Sequence, residues 1–276
     1  MRLGIHLPHI GQKAGPGAIR RAAEQAEALG FADVWVSEHI IVPKDRMYPP
    51  SAIFWDPVLT LTWAAAYTSR VGLGTSVLVL PMRHPLPLAK ELATLQNLSG
   101  GRLILGAGVG WLEDEFAALG VPFGERGRRM DEGIAMMRAV WQDDPVSFPA
   151  TTIPAVIDDM RILPKPVKPI PIWIGGTSEP ALQRALRLDG WHGSRASPEQ
   201  AAPIVARLRA ARPEPGFAVS LRYGWDGRDV GALRARIEAY EAAGIEHVLV
   251  EPSARELGDW LAAVERVAGA GKGMLA

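Results

Sequence analysis

Three polar residues, Ser37, Glu38 and His39, come directly after the apolar run Val34-Trp35-Val36. An imidazole with an ordinary pKa of about 6.5 exchanges protons near neutral pH, which suits general acid or base catalysis. If the apolar run is a strand of a parallel βα barrel, its carboxyl end opens at the mouth, where such barrels carry their chemistry. The pattern favours His39 as an acid or base. The alternative is a buried histidine bonded to Glu38 or to a backbone carbonyl.

Two glycine-rich segments also follow predicted strands. In the first, Gly106, Gly108 and Gly110 alternate with other residues and precede Trp111, so backbone can approach a ligand closely. Its spacing does not match the dinucleotide-binding fingerprint, and the signal is weak. The second, Gly175-Gly176-Thr177-Ser178, precedes a predicted helix and offers amide and hydroxyl donors, which is typical of a phosphate site. The alternative is an ordinary helix cap at Thr177 or Ser178.

The remaining histidines have different predicted roles. His6 and His9 are spaced His-Leu-Pro-His, but no lysine or aspartate is placed to complete a metal cage, so no metal is predicted. His192 lies on a short predicted strand, where it can contact a bound phosphate. His84 heads a predicted helix. His247 begins the last predicted strand, which indicates a structural role on the barrel floor.

A long loop from residue 41 to residue 56 follows the predicted second strand. It is rich in prolines and aromatic residues, namely Pro43, Tyr48, Pro49, Pro50, Phe54 and Trp55. A long loop of this composition at a barrel mouth predicts a lid over an apolar, planar ligand. The alternative is a loop that packs on a neighbouring subunit.

Short apolar runs alternate with amphipathic segments along the whole chain, which predicts a single (β/α)8 TIM barrel. The predicted strands are Leu3–Leu7, Asp33–Val36, Val71–Leu80, Leu103–Gly106, Ile172–Gly175, Gly190–Ser194, Phe217–Leu221 and His247–Val250. The clearest predicted helices are Gly17–Leu29, Leu86–Leu98, Arg126–Trp141, Glu179–Leu188, Pro198–Ala211, Val230–Ala243 and Arg255–Val267.

A proline-rich insertion from residue 143 to residue 171 interrupts this alternation before the fifth strand. It holds seven of the 23 prolines and two strand-like pieces, Val146–Phe148 and Met160–Ile162. Because it leads from a helix into a strand, we expect it on the barrel floor, as a structural or dimer-contact hairpin.

Composition narrows the possible partners. The 276 residues carry 30 basic and 30 acidic side chains, so no overall field attracts nucleic acid or an anionic membrane. The absence of cysteine excludes disulfides, thiolate metal sites and cysteine nucleophiles. Histidine and proline interrupt the start of the chain, where a signal peptide would need a continuous apolar segment. No apolar run reaches membrane-spanning length. We therefore expect one cytoplasmic domain over residues 1–276 that acts on a small molecule.

Five segments together resemble the luciferase-like oxidoreductases, and their order agrees over nearly the whole chain. They are Ser37-Glu38-His39, residues 71–81, Ser99-Gly-Gly-Arg102, residues 106–111 and residues 171–176. The resemblance implies a βα barrel, commonly a homodimer, with FMN or the deazaflavin coenzyme F420 in the mouth. It places the ring over strands two to four and the phosphate at the strand-five loop. It also implies a cis peptide between Ser76 and Val77.

Motifs and resemblance together assign a set of residues to the cofactor. They are His6, Ser37, His39, Ser76, Val77, Gly106, Gly108, Gly110, Trp111, Gly175, Gly176, Thr177, Ser178 and His192. His39 is predicted to move a proton, while Glu38 orients His39 or contacts the ring system. Within the family, the short chain with Ser-Glu-His and Thr-Ser-Val is more similar to the F420-dependent branch.

The reaction implied by that branch is hydride transfer between the deazaflavin C5 and a small organic substrate. One alternative is an FMN-dependent monooxygenase that uses a separately reduced flavin, and another is a flavin-binding barrel without turnover. Related F420-dependent glucose-6-phosphate dehydrogenases carry an acidic proton donor after the glycine run, whereas this chain has Trp111. A flatter and less polar substrate than a sugar phosphate is therefore expected.

Overall fold

The protein, described by a computed structural model over residues 1–49 and 51–275, contains a closed barrel of parallel strands. Pro50, one of the prolines of the predicted lid, lies outside the described residues. The barrel strands are β1 (Arg2–His6), β2 (Asp33–Val36), β3 (Gly72–Thr75), β4 (Leu78–Val79), β5 (Leu103–Gly108), β8 (Ile172–Gly175), β9 (Gly190–Ser194), β10 (Ala218–Trp225) and β11 (His247–Pro252). A separate antiparallel pair consists of β6 (Val146–Phe148) and β7 (Ile157–Met160).

Strand pairing closes the barrel in the order β1, β2, β3 with β4, β5, β8, β9, β10 and β11, and β11 pairs with β1 again. β3 and β4 together fill the third position, because both pair with β5. The structure therefore confirms the predicted eight-position (β/α)8 barrel. The buried strands read as short apolar runs because a parallel barrel covers both of their faces.

The third barrel position differs from the prediction of one strand over Val71–Leu80. The regular ladder stops after Thr75 and resumes at Leu78. Between them, the peptide that joins Ser76 to Val77 is cis, as the resemblance implies. Both residues thus leave the ladder at the carboxyl end of the barrel, where they line its mouth.

Helices surround the barrel. They are α1 (Pro16–Ala28), α2 (Pro57–Ala65), α3 (Pro85–Leu98), α4 (Glu113–Ala118), α5 (Arg126–Gln142), α6 (Glu179–Leu186), α7 (Pro198–Ala211), α8 (Val230–Ala242) and α9 (Leu257–Ala270). Four of them begin with proline, which loses no hydrogen bond in the first turn. The predicted role of His84 is confirmed, since its side chain caps α3 by accepting a hydrogen bond from the Leu86 N–H.

Sequence patterning did not predict α2 or α4. Helix α2 leaves Leu59 72% and Trp63 41% exposed, so its apolar residues do not lie on a single face. Helix α4 has six residues, which is too short for a clear period. In the proline-rich insertion, the second strand is Ile157–Met160 rather than Met160–Ile162. Among the described residues of the insertion, none lines the mouth of the barrel.

Candidate active site

A cavity of about 1200 Å³ opens at the carboxyl ends of the barrel strands. This volume is large enough for a cofactor ring together with a small substrate. Most of the residues assigned to the site from the sequence line it, namely His6, Ser37, Glu38, His39, Ser76, Val77, Gly108, Gly110, Trp111, Gly175, Gly176 and His192. They come together because each of them follows or ends a barrel strand, except His192, which lies inside β9.

Three of the assigned residues do not line the cavity. Gly106 belongs to the barrel wall, where an added Cβ would lie 1.8 Å from the Thr75 carbonyl oxygen. It therefore permits close packing of β5 on β3. Thr177 and Ser178 are exposed at the start of α6, outside the cavity lining. The Ser178 side chain makes no capping hydrogen bond to α6.

His39 has a carboxylate partner that the sequence analysis did not identify. Its Nδ1 lies 2.8 Å from Oε2 of Glu115, and the same carboxylate accepts the Ile40 N–H at 2.7 Å through Oε1. The contact to a carboxylate places a proton on Nδ1, and in the neutral imidazole Nε2 then carries the lone pair. Nε2 makes no hydrogen bond within residues 1–49 and 51–275, and the ring lines the cavity.

Aromatic rings restrict His39 on two further sides. Phe54 meets its ring edge-on with centroids 5.0 Å apart, and Trp111 does so at 5.7 Å. Only about a tenth of the His39 side chain is exposed. The imidazole is thus held in one orientation with a single free nitrogen on the cavity side. Such an arrangement can take a proton from a ligand hydroxyl and return it.

The sequence does not distinguish Glu115 from its acidic neighbours. Glu115 lies three residues after the apolar Leu112, but Glu113 lies three residues before the apolar Phe116, so helical spacing gives both an apolar neighbour on the same face. In the structure Leu112, Glu115 and Phe116 are buried, whereas Glu113 is exposed.

Of the two roles expected for Glu38, the first is wrong, because its carboxylate does not bond His39. Its Oε2 accepts the Val79 N–H at 2.6 Å, and its Oε1 accepts from Arg83 Nε at 2.7 Å. The neighbours Glu38 and His39 thus have different partners, Arg83 and Glu115. Burial raises the pKa of Glu38, and the Arg83 guanidinium opposes that shift. Arg83 also bonds Asp56 at 2.6 Å.

A flat section of cavity wall surrounds Val77. An added Cβ on Gly108 would lie 2.5 Å from one Val77 methyl, and one on Gly175 would lie 2.8 Å from the other. Both glycines are thus required for Val77 to sit in the wall between β5 and β8. At these two positions no side chain projects beside Val77, so this part of the wall can accept the face of a planar ring.

The rim formed by the ends of β8 and β9 carries donors for an anion. Gly176, Ser194 and Arg195 line the cavity beside α6. Arg195 has a left-handed backbone with φ of 60°, which is uncommon for a residue with a side chain. Its guanidinium lies 4.5 Å from the centre of the Tyr48 ring, which also meets Trp111 at 5.8 Å. The loop after β2 therefore reaches across the mouth, which agrees with the lid prediction. Sequence patterning gave no signal for Arg195.

His6 and His9 are buried beneath the mouth. Burial is the main cause that lowers the pKa of His9 to about 4, and it lowers the pKa of His6 well below its ordinary value. His9 Nδ1 lies 3.2 Å from the Leu7 carbonyl, and its Nε2 accepts the Ser37 N–H at 3.0 Å. His9 thereby fixes the backbone that leads to His39. Within the described part of the chain, no group of three or more potential ligands surrounds a metal position.

Comparison with known proteins identifies the family. A model of the luciferase-like monooxygenase family matches residues 1–224. An uncharacterized protein of Mycobacterium tuberculosis is 34% identical over 206 residues, which are 70% of this chain and 71% of the relative. An F420-dependent glucose-6-phosphate dehydrogenase of Kineococcus radiotolerans is 36% identical over 169 residues, which are 59% of this chain and 48% of the relative. This chain belongs to the luciferase-like monooxygenase family and is an oxidoreductase.

Two solved structures share the fold over 98% of both chains. One is a monooxygenase from Streptomyces bottropensis, with a TM-score of 0.80 and 24% identity. The other is an F420-dependent secondary alcohol dehydrogenase in complex with an F420-acetone adduct, with a TM-score of 0.80 and 20% identity. At these identities the likeness concerns the fold alone. No helix within the described residues is long and apolar enough to cross a membrane.

Proposed function

We propose that this protein is a coenzyme F420-dependent oxidoreductase that acts on a small, largely apolar organic substrate. The observation that carries the proposal is the His39–Glu115 pair, which presents one free imidazole nitrogen to a cavity with a flat wall at Val77. The F420-dependent dehydrogenase from Kineococcus radiotolerans supports the choice of coenzyme. The aromatic side chains Tyr48, Phe54 and Trp111 in the cavity support an apolar substrate.

The residues of the cavity fit the coenzyme. Val77, framed by Gly108 and Gly175, offers the flat contact that a deazaflavin ring requires. Gly176 and Arg195, next to the N-terminus of α6, offer an amide and a guanidinium to its phosphate. When bound, the coenzyme supplies a carbon centre that accepts or donates a hydride.

The chain's own residues supply orientation and proton transfer. Glu115 holds the Nδ1 proton of His39, so Nε2 can accept the proton of a substrate hydroxyl as the alcohol becomes a carbonyl. In the reverse direction the same nitrogen returns the proton. Phe54 and Trp111 exclude water from the ring edges of His39. Glu38 has a structural part here, because Arg83 and the Val79 N–H occupy its oxygens.

A binding titration of the purified chain with F420 and with FMN tests the coenzyme. We expect tighter binding of F420. Equal or stronger binding of FMN would instead favour an FMN-dependent monooxygenase. Binding of F420 without turnover on a panel of alcohols and carbonyl compounds would favour a binding protein.

A variant of the Val77 wall sharpens this titration. Gly108→Ala pushes Val77 into the cavity and should weaken binding by roughly tenfold, or about 1.4 kcal/mol, which lies within the usual overpacking cost of about 1–3 kcal/mol. Gly124→Ala is the matched control, since nothing lies within 4 Å of its added Cβ. Equal affinities of the two variants would contradict ring contact at this wall.

We further infer a homodimer. This inference is supported by Leu59 and Trp63 on α2, two apolar side chains that are exposed to solvent in the single chain. Exposed apolar side chains that lie together are typical of protein–protein contacts. Sedimentation of the wild type should give twice the chain mass, and Leu59→Glu should give the mass of one chain. A wild type that sediments with the mass of one chain would contradict the inference.

A further inference from the structure

A continuous chain of polar side chains crosses the barrel interior. Asp33 Oδ1 lies 2.8 Å from His247 Nε2, and His247 Nδ1 lies 2.6 Å from Ser220 Oγ. Ser220 Oγ then lies 2.8 Å from His192 Nδ1, and His192 Nε2 lies 2.8 Å from Ser76 Oγ. All five residues are at most 5% exposed. Every link is short enough for a strong hydrogen bond.

The chain connects the two ends of the barrel. Asp33 begins β2 and His247 begins β11, so both lie at the floor. His192 and Ser76 line the cavity at the other end. Barrel interiors are ordinarily filled by branched apolar side chains, and buried polar groups are costly unless they are paired. A fully paired polar path from floor to cavity is therefore a specific feature of this barrel.

The carboxylate of Asp33 fixes the first hydrogen bond. Burial acts to raise its pKa, but the His247 imidazole and the Trp35 indole lower it. Asp33 is thus ionised and accepts hydrogen bonds, at 2.8 Å from His247 Nε2 and at 2.5 Å from the Trp35 Nε1–H. The remaining directions depend on whether His247 Nδ1 also carries a proton.

Two arrangements satisfy every link. Without a proton on His247 Nδ1, Ser220 donates to it, His192 Nδ1 donates to Ser220, and Ser76 donates to His192 Nε2. Ser76 then presents only lone pairs to the cavity. With a proton on His247 Nδ1, each direction reverses, and Ser76 presents its O–H to the cavity. His192 is neutral in both arrangements, since burial lowers its pKa to about 3.

We propose that these side chains form a proton relay between the cavity and the buried Asp33–His247 pair. When a ligand gives a proton to Ser76 Oγ, Ser76 passes its own hydroxyl proton to His192 Nε2. His192 passes its Nδ1 proton to Ser220, which passes its hydroxyl proton to His247 Nδ1. Each intermediate group gains and loses one proton, so one proton moves to His247 beside the Asp33 carboxylate. The reverse sequence returns it.

Charged groups bound the relay at both ends. Arg222 of β10 donates to the Ser76 carbonyl at 2.8 Å and pairs with Glu251 of β11 at 2.7 Å. At the floor, Arg2 of β1 lies 6.0 Å from the centre of the Trp173 ring. Both cations oppose an extra proton nearby, whereas the Asp33 carboxylate favours one on His247. The relay shares no residue with the His39–Glu115 pair, and it does not depend on the coenzyme.

Nitrogen-15 NMR of the histidine rings in the ligand-free full chain tests the relay. The ring-nitrogen shifts of His192 and His247 are followed as the pH is lowered stepwise from neutrality to the onset of acid unfolding. At the step where His247 Nδ1 gains a proton, the proton of His192 should move from Nδ1 to Nε2 while that ring stays neutral. A His192 tautomer that stays the same through this step, or a His247 Nδ1 that gains no proton before the protein unfolds, would overturn the proposal.

Variants of Ser220 separate a relay from simple packing. Ser220→Ala breaks the path outside the cavity, and the response of His192 to the titration should be lost. Ser220→Thr keeps the hydroxyl and should keep the response. Thr75→Val is the control, because it removes a buried hydroxyl that bonds the Gly106 carbonyl outside the relay. An unchanged response in Ser220→Ala would overturn the relay; if that variant does not fold, the wild-type titration decides alone.

Discussion

Glu115 accepts a hydrogen bond from His39 Nδ1 at 2.8 Å across 76 positions of the chain. The same carboxylate binds the backbone N–H of Ile40, so it fixes both the imidazole and the segment that carries it. The geometry of the proposed base therefore depends on a six-residue helix, α4. This relationship makes the roles of His39 and Glu115 separable by mutation.

Removal of the imidazole should affect turnover rather than folding. His39→Ala should slow turnover by roughly 10² to 10⁴, the usual contribution of one acid or base. Its affinity for F420, measured by titration, should stay close to that of the wild type. His84→Ala is the control, because this exposed histidine caps α3 away from the cavity. Unchanged turnover in His39→Ala would make His39 a packing residue.

Glu115 is predicted to act through His39 as a positioning residue. Glu115→Gln removes the charge from a hydrogen bond worth about 1.5–3 kcal/mol, so kcat should fall roughly 10- to 100-fold while KM changes little. Glu113→Gln, an exposed position on the same helix, should leave kcat unchanged. An equal loss of kcat in both variants would argue against the specific contact to His39.

The Glu38–Arg83 pair is expected to stabilise the fold. Arg83→Met leaves a fully buried carboxylate without its cation and should lower the free energy of unfolding by roughly 3 kcal/mol. Burial raises the pKa of Glu38, so the folded protein favours the neutral, protonated carboxyl group. The loss of unfolding free energy in Arg83→Met should therefore be smaller near pH 5 than near pH 7.5. Arg128→Met breaks an exposed pair and should cost less than about 1 kcal/mol in urea unfolding.

Buried neutral histidines should make the protein less stable in mild acid. Burial lowers the pKa of His192 to about 3 and that of His9 to about 4. Unfolded histidines titrate near about 6.5, so below that pH the unfolded chain binds more protons. The stabilisation is complete above about pH 6.5 and is lost as the pH falls towards the folded values.

Urea unfolding near pH 7.5 and near pH 5 measures this loss. Each of these two histidines should contribute roughly 2 kcal/mol to the difference in unfolding free energy. His9→Gln, which cannot titrate, should reduce the pH-dependent difference by about that amount. Equal pH dependence in His9→Gln and the wild type would contradict a neutral buried His9.

The sequence predicted the barrel because most of its buried strands are short apolar runs that alternate with helices. His39 was also predictable, since its position after β2 places it at the mouth. Its partner was not predicted, because the orienting role was assigned from the sequence to the adjacent Glu38, and nothing in the spacing of Glu115 indicated a contact with His39. The Glu38 carboxylate bonds Arg83, and long-range packing of α4 brings Glu115 to His39.

Other parts of the site depend on tertiary structure alone. Arg195 reaches the mouth through a left-handed backbone that no sequence pattern revealed. The interruption of the third strand was expected only from the family resemblance, since Val71–Leu80 reads as one apolar strand. Thr177 and Ser178 matched a phosphate motif, yet the cavity begins at Gly176.

The segment after β2 has two attachments, one at each end of its path over the mouth. Near its start, Ile40 is tied to Glu115, and further along Tyr48 touches Arg195 on the far rim. Displacement of this segment to admit a ligand would therefore pull on the same carboxylate that aligns the base. With the segment displaced, Glu115 would no longer align His39, so proton transfer would require that the segment first return to its place over the mouth.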